Sequence, residues 1–316
     1  MVRPVEWEEV ESGEELSLAI GNFDGVHRGH QALIEKAIEL AREKELTPAV
    51  LTFHPHPIKV LKGPQRHMTL TPLAEKLRLI RLYGIEKIFV LKFSPSLYNL
   101  TPQEFVTEVL VKRLKAKAVV VGDNFRFGKN RTGDIVTLRR LSKVYGFTFY
   151  PYPQVHVDGM PVSSTRIRRM IREGKIEVAA RMLGRPYKLV GKVVKGRGRG
   201  RGLGFPTANI EPENEVIPRN GVYACFAEVE GGLWKAVVNV GTNPTFEDKS
   251  FSVEAHIIGF DRDIYGKPFG LYFVRRLRDE VKFDTVEKLK EAIDRDKRFG
   301  EEFLQWERLC VGFSSF

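Results

Sequence analysis

Residues 16–34 have the sequence LSLAIGNFDGVHRGHQALI, and this stretch decides the fold of the first half of the chain. The apolar run at 16–20 predicts a buried strand, and apolar residues at helical spacing from 33 to 41 predict a helix. Three glycines, Gly21, Gly25 and Gly29, lie in the connection. A strand that enters a helix through such a turn can cradle a phosphate, because the N–H groups of the helix start point at the ligand.

The rest of the first half repeats this alternation of short apolar runs and helical patterns. Such alternation is typical of a doubly wound α/β domain with a parallel sheet, in which ligands bind beyond the carboxyl ends of the strands. Helical spacing is present at 33–41, 73–80 and 101–114. The predicted strands are 16–20, 49–53, 87–91, 118–121 and 147–150.

The second half has a different pattern. A helix predicted at 165–183 is broken by Gly184, Arg185 and Pro186, so we expect one domain at 1–185 and another at 186–316. Short strand patterns separated by glycine, proline and asparagine predict a small antiparallel β-barrel, followed by a C-terminal helix at 286–309. The predicted barrel strands are 187–194, 222–229, 235–240, 251–258 and 269–274.

The composition is that of a globular protein, with 316 residues, 42% apolar and 29% charged. No apolar run is long enough for a membrane span and no signal peptide is recognised, so we expect a cytoplasmic protein without a membrane partner. Cys225 and Cys310 match neither a disulfide framework nor a zinc site. The net charge of +11 includes seven basic residues and no acidic ones between 185 and 201, which favours polyphosphate substrates or nucleic acid.

Two histidines stand at the entrance of the first helix. His27 and His30 are three residues apart, so both can reach the same phosphoryl oxygens and stabilise charge there. Two alternatives stay open from the residues alone: His27, His30, His54 and His56 as metal ligands, or a plain glycine loop with surface histidines.

A second motif, SSTRIR at 163–168, starts another predicted helix. Hydroxyl and guanidinium groups at a helix start suit a polyphosphate, although a capped basic surface helix has the same composition. Together with HRGH at 27–30, this motif resembles the nucleotidylyltransferase superfamily, which implies a Rossmann-like fold and ATP as a substrate. The resemblance assigns catalysis to His27 and His30. It assigns phosphate binding to Gly21, Asn22, Gly29, Ser163, Ser164, Thr165 and Arg168.

Further motifs narrow the resemblance. GNFDGVH at 21–27, TFHPHP at 52–57 and VGDNFRFG at 121–128 resemble the bacterial bifunctional riboflavin kinase/FMN adenylyltransferase family over nearly the whole chain. That family joins FMN to ATP and releases pyrophosphate and FAD. The resemblance implies flavin contacts at Phe23, Asp24, Asn124 and Arg126, although Asp24 is equally compatible with a structural turn cap.

The predicted barrel carries the kinase motifs of the same family. The run GRGRGRGLGF at 196–205 resembles a mobile flap over ATP phosphates, with Gly196 and Gly204 at its ends, although Arg-Gly runs also occur in RNA-binding segments. PTAN at 206–209 implies that Thr207 and Asn209 hold Mg²⁺ with ATP. The segment NVGTNPTF at 239–246 is expected to shape the flavin side.

Strand alternation in FSVEAHI at 251–257 places Glu254 on the face opposite Val253 and Ala255. The resemblance makes Glu254 the base that deprotonates riboflavin; without it, a solvent-facing carboxylate is the simpler reading. The implied substrates and products are ATP, riboflavin, FMN and FAD. A cytidylyltransferase with a binding barrel and a nucleic-acid protein are the rivals, with nucleic acid disfavoured, and the oligomeric state is not encoded in any motif.

Overall fold

The structure is a computed structural model that describes residues 3–196, 204–241 and 252–304. The chain divides into two compact units. The first contains the chain up to Thr69 and from Leu73 to Ser163, and the second contains Leu70–Pro72 and the chain from Ser164 onward. Predictions for residues 197–203, 242–251 and 305–316 lie outside the described residues. They concern most of the Arg-Gly run, residues 242–246 of the NVGTNPTF segment, Phe251, Cys310 and the end of the last helix.

The first unit is built on a five-stranded parallel sheet, as the sequence predicts, and the strand order is β3-β2-β1-β4-β5. Its strands are β1 Leu16–Ile20, β2 Thr47–His54, β3 Lys87–Lys92, β4 Ala116–Gly122 and β5 Thr148–Tyr152. The helices are α1 Arg28–Glu43, α2 Pro57–Lys62, α3 Leu73–Leu82, α4 Pro95–Tyr98, α5 Pro102–Glu104, which continues as a π-helix over Phe105–Arg113, and α6 Ile135–Tyr145. A two-stranded ribbon, β6 His156–Val157 and β7 Met160–Pro161, follows.

The central strand β1 is buried over its whole length. Leu16, Leu18 and Ile20 pack into one apolar core and Ala19 into another, because successive side chains of a strand point to opposite faces of the sheet. Since β1 pairs with β2 on one side and β4 on the other, the strand order reverses between β1 and β4. Ligands of doubly wound folds bind beyond the carboxyl ends at that point.

The second unit contains a closed antiparallel barrel, as the sequence predicts, but with six strands rather than five, in the order β10-β11-β12-β9-β8-β13. Its strands are β8 Tyr187–Val194, β9 Ala208–Pro212, β10 Gly221–Val229, β11 Gly232–Gly241, β12 Ser252–Ile257 and β13 Pro268–Arg278. The C-terminal helix α9, Val286–Phe303, starts at Thr285, whose hydroxyl accepts a hydrogen bond from the Lys288 N–H.

The single helix predicted at 165–183 is wrong. Two helices occupy this stretch, α7 Ser164–Arg172 and α8 Ile176–Leu183. Gly174 between them has a φ of 77°, a left-handed conformation that interrupts a helix. A Cβ at this position would also lie 2.7 Å from the Arg276 side chain, so both the backbone conformation and the available space favour glycine.

A short piece of the first half of the chain belongs to the second unit. Leu70 is fully buried, and its carbonyl oxygen accepts a hydrogen bond of 2.9 Å from the side-chain amide of Asn214. That amide also lies 3.0 Å from the Tyr187 hydroxyl, which donates to the Val216 carbonyl at 2.6 Å. This buried polar cluster fixes the start of β8.

Candidate active sites

The turn after β1 has an unusual backbone. Phe23 and Val26 have φ values of 50° and 39°, and Gly25 has 87°. Bulky residues rarely adopt positive φ, and such conformations persist where the surroundings enforce them, most often at functional sites. The Phe23 ring is fully buried in the core, and the Gln31 side chain donates to the Val26 carbonyl at 2.8 Å. The buried Phe23 ring and the Gln31 hydrogen bond therefore hold the turn in one conformation.

His27 caps the N-terminus of α1. Its Nδ1 accepts a hydrogen bond of 3.3 Å from the His30 N–H, so the proton of a neutral His27 ring is on Nε2. The ring of His30 is stacked on it, with centroids 3.6 Å apart and planes 14° from parallel. The structure thus brings both predicted catalytic histidines together where a helix start attracts anions.

Gly29 has a steric role in this arrangement. A Cβ at this position would lie 3.2 Å from Cε1 of the His27 ring and 3.3 Å from its Nδ1. Gly21 is placed similarly, because a Cβ there would meet the Phe23 ring at 3.3 Å. Both glycines therefore leave room for the side chains that form the turn.

Two buried polar residues contact the turn: Thr52 begins the TFHPHP motif, whereas Lys76 lies in no motif. Lys76 of α3 is 6% exposed and Thr52 of β2 is fully buried. The Lys76 ammonium donates to the Asn22 carbonyl at 3.2 Å and to the Thr52 hydroxyl at 3.1 Å. Burial lowers the pKa of Lys76 to about 8, opposed by the charge of Asp24. Burial, Lys76 and Lys59 together lower the pKa of His54.

The predicted flavin residues lie in different environments. The Asp24 side chain is buried within the turn, whereas Asn124 and Arg126 are exposed in the loop that follows β4. Arg126 forms an ion pair of 3.1 Å with Asp134, which caps α6. Because β1 and β4 are neighbours, this loop and the Gly21 turn leave the same edge of the sheet.

The SSTRIR motif starts α7, as predicted, with Ser164 as the first helical residue. Ser163 closes the first unit and Ser164 opens the second. Thr165 is exposed, while Ser163, Ser164 and Arg168 are partly buried. Ile167 is fully buried, so α7 has a buried apolar side and a polar side that carries the other helical residues of the motif.

The barrel brings three polar residues into one row. Glu254 on β12 lies directly opposite Asn209 on β9 and Asn239 on β11. Residues opposite one another in an antiparallel pair have Cβ atoms ~4.5–5.5 Å apart and share a face of the sheet. The Glu254 carboxylate also accepts a hydrogen bond of 3.1 Å from Ser252. Val253, Ala255 and Ile257 are buried, which confirms the predicted alternation from residue 252 onward.

His256 fixes the segment that leads into PTAN. Its Nδ1 lies 2.9 Å from the Pro206 carbonyl oxygen, and its ring meets the edge of Phe205. The period of the strand places His256 on the same face as Glu254, so a sequence signal existed, but nothing in it indicated a partner at Pro206. Asn239 begins the segment that was expected to shape the flavin side, but its position opposite Glu254 depends on strand register and could not be predicted.

Thr207 and Asn209 are partly buried, and Gly204 is exposed with a φ of 87°. A Cβ on Gly196 would overlap the side-chain amide of Asn209, so this glycine makes space for Asn209. Hydroxyl, amide and carboxylate oxygens from Thr207, Asn209 and Glu254 are the hard donors that Mg²⁺ prefers, so the residues fit that ion. Elsewhere in the described chain, no group of three or more His, Cys, Asp or Glu residues could hold a metal.

Comparison with known proteins finds two family domains in the chain. The FAD synthetase family model matches residues 9–166, and the riboflavin kinase family model matches 183–304. Two relatives are described as bifunctional riboflavin kinase/FMN adenylyltransferase. The protein from Escherichia coli (strain K12) is 36% identical, covering 90% of this chain and 92% of its own length. The protein from Bacillus subtilis (strain 168) is 37% identical over 89% and 90%.

A crystal structure from Streptococcus pneumoniae, described as a macrolide-efflux protein, matches with a TM-score of 0.86 and 31% identity, over 95% of this chain and 98% of that one. In the described part of this chain, no helix has the length and apolar character needed to cross a membrane. Each family model covers one of the two candidate sites, and the similarity to the Escherichia coli protein covers 90% of this chain. The chain therefore belongs to the bifunctional riboflavin kinase/FMN adenylyltransferase family.

Proposed function

We propose that the chain catalyses two ATP-dependent reactions, phosphorylation of riboflavin to FMN and transfer of an adenylyl group from ATP to FMN, which gives FAD and pyrophosphate. The adenylyltransferase is assigned to residues 1–185 and the kinase to 186–316. The observation that carries this assignment is the presence of two separate polar constellations. The stacked pair His27 and His30 lies in the first unit, and the row of Asn209, Glu254 and Asn239 lies in the second.

In adenylyl transfer, an oxygen of the FMN phosphate bonds to the α-phosphorus of ATP, and the bond from that phosphorus to the bridging oxygen of pyrophosphate breaks. The FMN phosphate is already ionised at neutral pH, since the second pKa of such monoesters is about 6, so no general base is needed. His27 donates from Nε2, and His30 and the α1 N-terminus add positive potential at the same place. Ser163, Ser164, Thr165 and Arg168 bind the polyphosphate, and Asn124 and Arg126 contact the flavin.

In the kinase reaction, a ribityl hydroxyl oxygen bonds to the γ-phosphorus as the bond to ADP breaks. The hydroxyl proton passes to Glu254, whose position beside Ser252 and between two asparagines suits a base held in one orientation. Thr207 and Asn209 would hold Mg²⁺ with ATP, and the ion would offset the negative charge of the phosphates. We expect both reactions to occur in the cytoplasm, a location that cell fractionation would check.

The test is a product analysis. The purified chain is incubated with riboflavin, ATP and Mg²⁺, and flavins are separated by chromatography over time. FMN should appear first and FAD after it, with ADP and pyrophosphate as the other products. Omission of Mg²⁺ with added chelator should stop FMN formation. If neither flavin product appears, the proposal is rejected.

A further inference from the structure

A lysine buried beneath a phosphate-binding turn is an unexpected feature. Lys76 is 6% exposed, although lysine is among the residues least often buried, because removing an ammonium group from water is costly. The carboxylate of the neighbouring Glu75 accepts hydrogen bonds of 2.8 and 2.7 Å from Arg78. The position of Lys76 therefore has to be explained by what its ammonium group contacts.

The contacts form a closed triangle. The Lys76 ammonium donates to the Asn22 carbonyl and the Thr52 hydroxyl, and the Thr52 hydroxyl donates to the same Asn22 carbonyl at 3.1 Å. The carbonyl of Asn22 immediately precedes Phe23, the first residue of the turn with positive φ. Two donors on one carbonyl fix the direction of the peptide from which the strained turn starts.

The Lys76 ammonium group is also a buried positive charge beneath the turn to which phosphate binding is assigned. The charged and titratable groups that act on Lys76 or are acted on by it are Asp24, which favours its protonation, and His54, whose own pKa is lowered by Lys76. Lys59 acts on His54 as well. Asp24 and Lys76 together leave little net charge under the turn, so loss of the lysine proton leaves the buried Asp24 carboxylate without that compensation.

We propose that Lys76, in its protonated form, is a positioning residue for adenylyl transfer, holding the Asn22 carbonyl and offsetting Asp24 so that the turn at 21–25 accepts the polyphosphate of ATP. This inference rests on the assignment of adenylyl transfer to the turn and His30. By linkage, polyphosphate binding and protonation of Lys76 favour each other. Because burial lowers the pKa of Lys76 to about 8, the effect should be visible at mildly alkaline pH.

The experiment compares Lys76→Met, Lys76→Arg and Thr52→Val with wild type in the full-length chain. Lys62→Met, an exposed lysine of α2, is the matched control. Adenylylation of supplied FMN is measured against ATP concentration from pH 7 to 9.5, where the FMN phosphate is mostly ionised and ordinary histidines are mostly neutral. Phosphorylation of riboflavin is measured in the same samples, and circular dichroism checks folding.

We expect Lys76→Met to raise the KM for ATP at pH 7 by at least about fivefold, within the range of typical coupling between sites, with kinase activity unchanged. Wild-type kcat/KM for adenylylation should fall as the pH rises through about 8, whereas the Met variant should show no such fall and the Arg variant should stay high. Thr52→Val should show a smaller loss and keep the wild-type pH profile.

Two outcomes overturn the inference: a folded Lys76→Met variant with wild-type adenylylation kinetics, or an alkaline decline in Lys76→Arg identical to that of wild type. Should the Met variant fail to fold, the comparison of wild type with Lys76→Arg still decides. A wild-type chain with no adenylylation at any pH would reject the proposed function itself. Activity that survives loss of Lys76 but not of His30 would reject only the role of Lys76.

Discussion

The imidazole rings of His27 and His30 lie stacked with their centroids 3.6 Å apart, and the Nδ1 of the first accepts the backbone N–H of the second. The two rings are therefore fixed by the same turn of helix. A shift of either ring would therefore disturb its stacking on the other. Their joint position is what makes the start of α1 more than an ordinary helix N-terminus.

Replacing His30 should separate the two activities. We expect His30→Asn to lower FAD formation by roughly 10²–10³-fold, the usual effect of losing one donor to a transition-state oxygen, while FMN accumulates. His156→Asn, an exposed histidine of β6, is the matched control and should leave both products unchanged. Loss of FMN formation in His30→Asn would contradict separate sites.

Gly29→Ala tests the steric account of the motif. The new Cβ would lie 3.2 Å from the His27 ring and force it to shift, so kcat for adenylylation should fall several-fold. Alanine in a helix is favoured over glycine by up to about 1 kcal/mol, so the free energy of unfolding should not decrease. Gly13→Ala, where the Cβ meets nothing within 4 Å, serves as the control. Unchanged kinetics in Gly29→Ala would show that the His27 ring has room to move.

Glu254→Gln removes the proposed base and keeps the shape of the side chain. Riboflavin phosphorylation should fall by about 10²–10⁴-fold, whereas supplied FMN should still be converted to FAD. The control is Glu211→Gln, an exposed carboxylate on β9. A Gln variant that phosphorylates riboflavin at the wild-type rate would leave Glu254 as a strand carboxylate without a chemical role.

Gly196→Ala should act on the kinase through Asn209. Its Cβ would overlap the Asn209 side-chain amide, which must then leave the row that includes Glu254. We expect a higher KM for Mg-ATP in riboflavin phosphorylation and no change in adenylylation. Steady-state kinetics at several Mg²⁺ concentrations would measure this, again with Gly13→Ala as the control. Equal KM values would mean that Asn209 does not contact the nucleotide complex.

Lys76 also predicts how stability depends on pH. Its pKa falls from 10.5 in the unfolded chain to about 8 in the folded one, so between these values the unfolded chain binds the proton that the folded chain releases. The free energy of unfolding should therefore rise across this window, by up to about 3 kcal/mol from this group. Urea unfolding at pH 8 and pH 10 should show a smaller rise for Lys76→Met. Parallel pH dependence in the two proteins would contradict a buried ammonium.

Most strand positions in both units could be predicted because buried strands are short, apolar and bounded by glycine or proline. The strand β9 and the ribbon of β6 and β7 were missed, since they are short and largely polar or partly exposed. Helix α6 was missed. Val136 and Val144 are 70% and 64% exposed, and these apolar surface residues blur the pattern set by Leu138 and Leu141. The break at Gly174 was missed because the apolar spacing continues on both sides of it.

The motif residues of the sites could be proposed from sequence, but their supports could not. A lysine in the middle of an amphipathic helix has the pattern of a solvated side chain, and only tertiary packing puts Lys76 under the turn. Asn239 and His256 depend on strand register and on a contact 50 residues away, neither of which is local information. The assigned roles of the motif residues themselves stay predictions until the variants are measured.

The second unit is assembled from two separate pieces of the chain, so a gene fragment that encodes only the C-terminal piece does not encode the whole unit. A gene fragment that starts at α7 would lack Leu70, so the buried amide of Asn214 would lose an acceptor at the foot of the barrel. The amide keeps its contacts with the Tyr187 hydroxyl at 3.0 Å and the Lys188 carbonyl at 3.1 Å, so the loss is one hydrogen bond of a network, worth ~0.5–1.5 kcal/mol. A cut before α7 therefore releases a barrel that lacks one part of its buried polar cluster, and a recombinant that inherits only the C-terminal half inherits it in that weakened form.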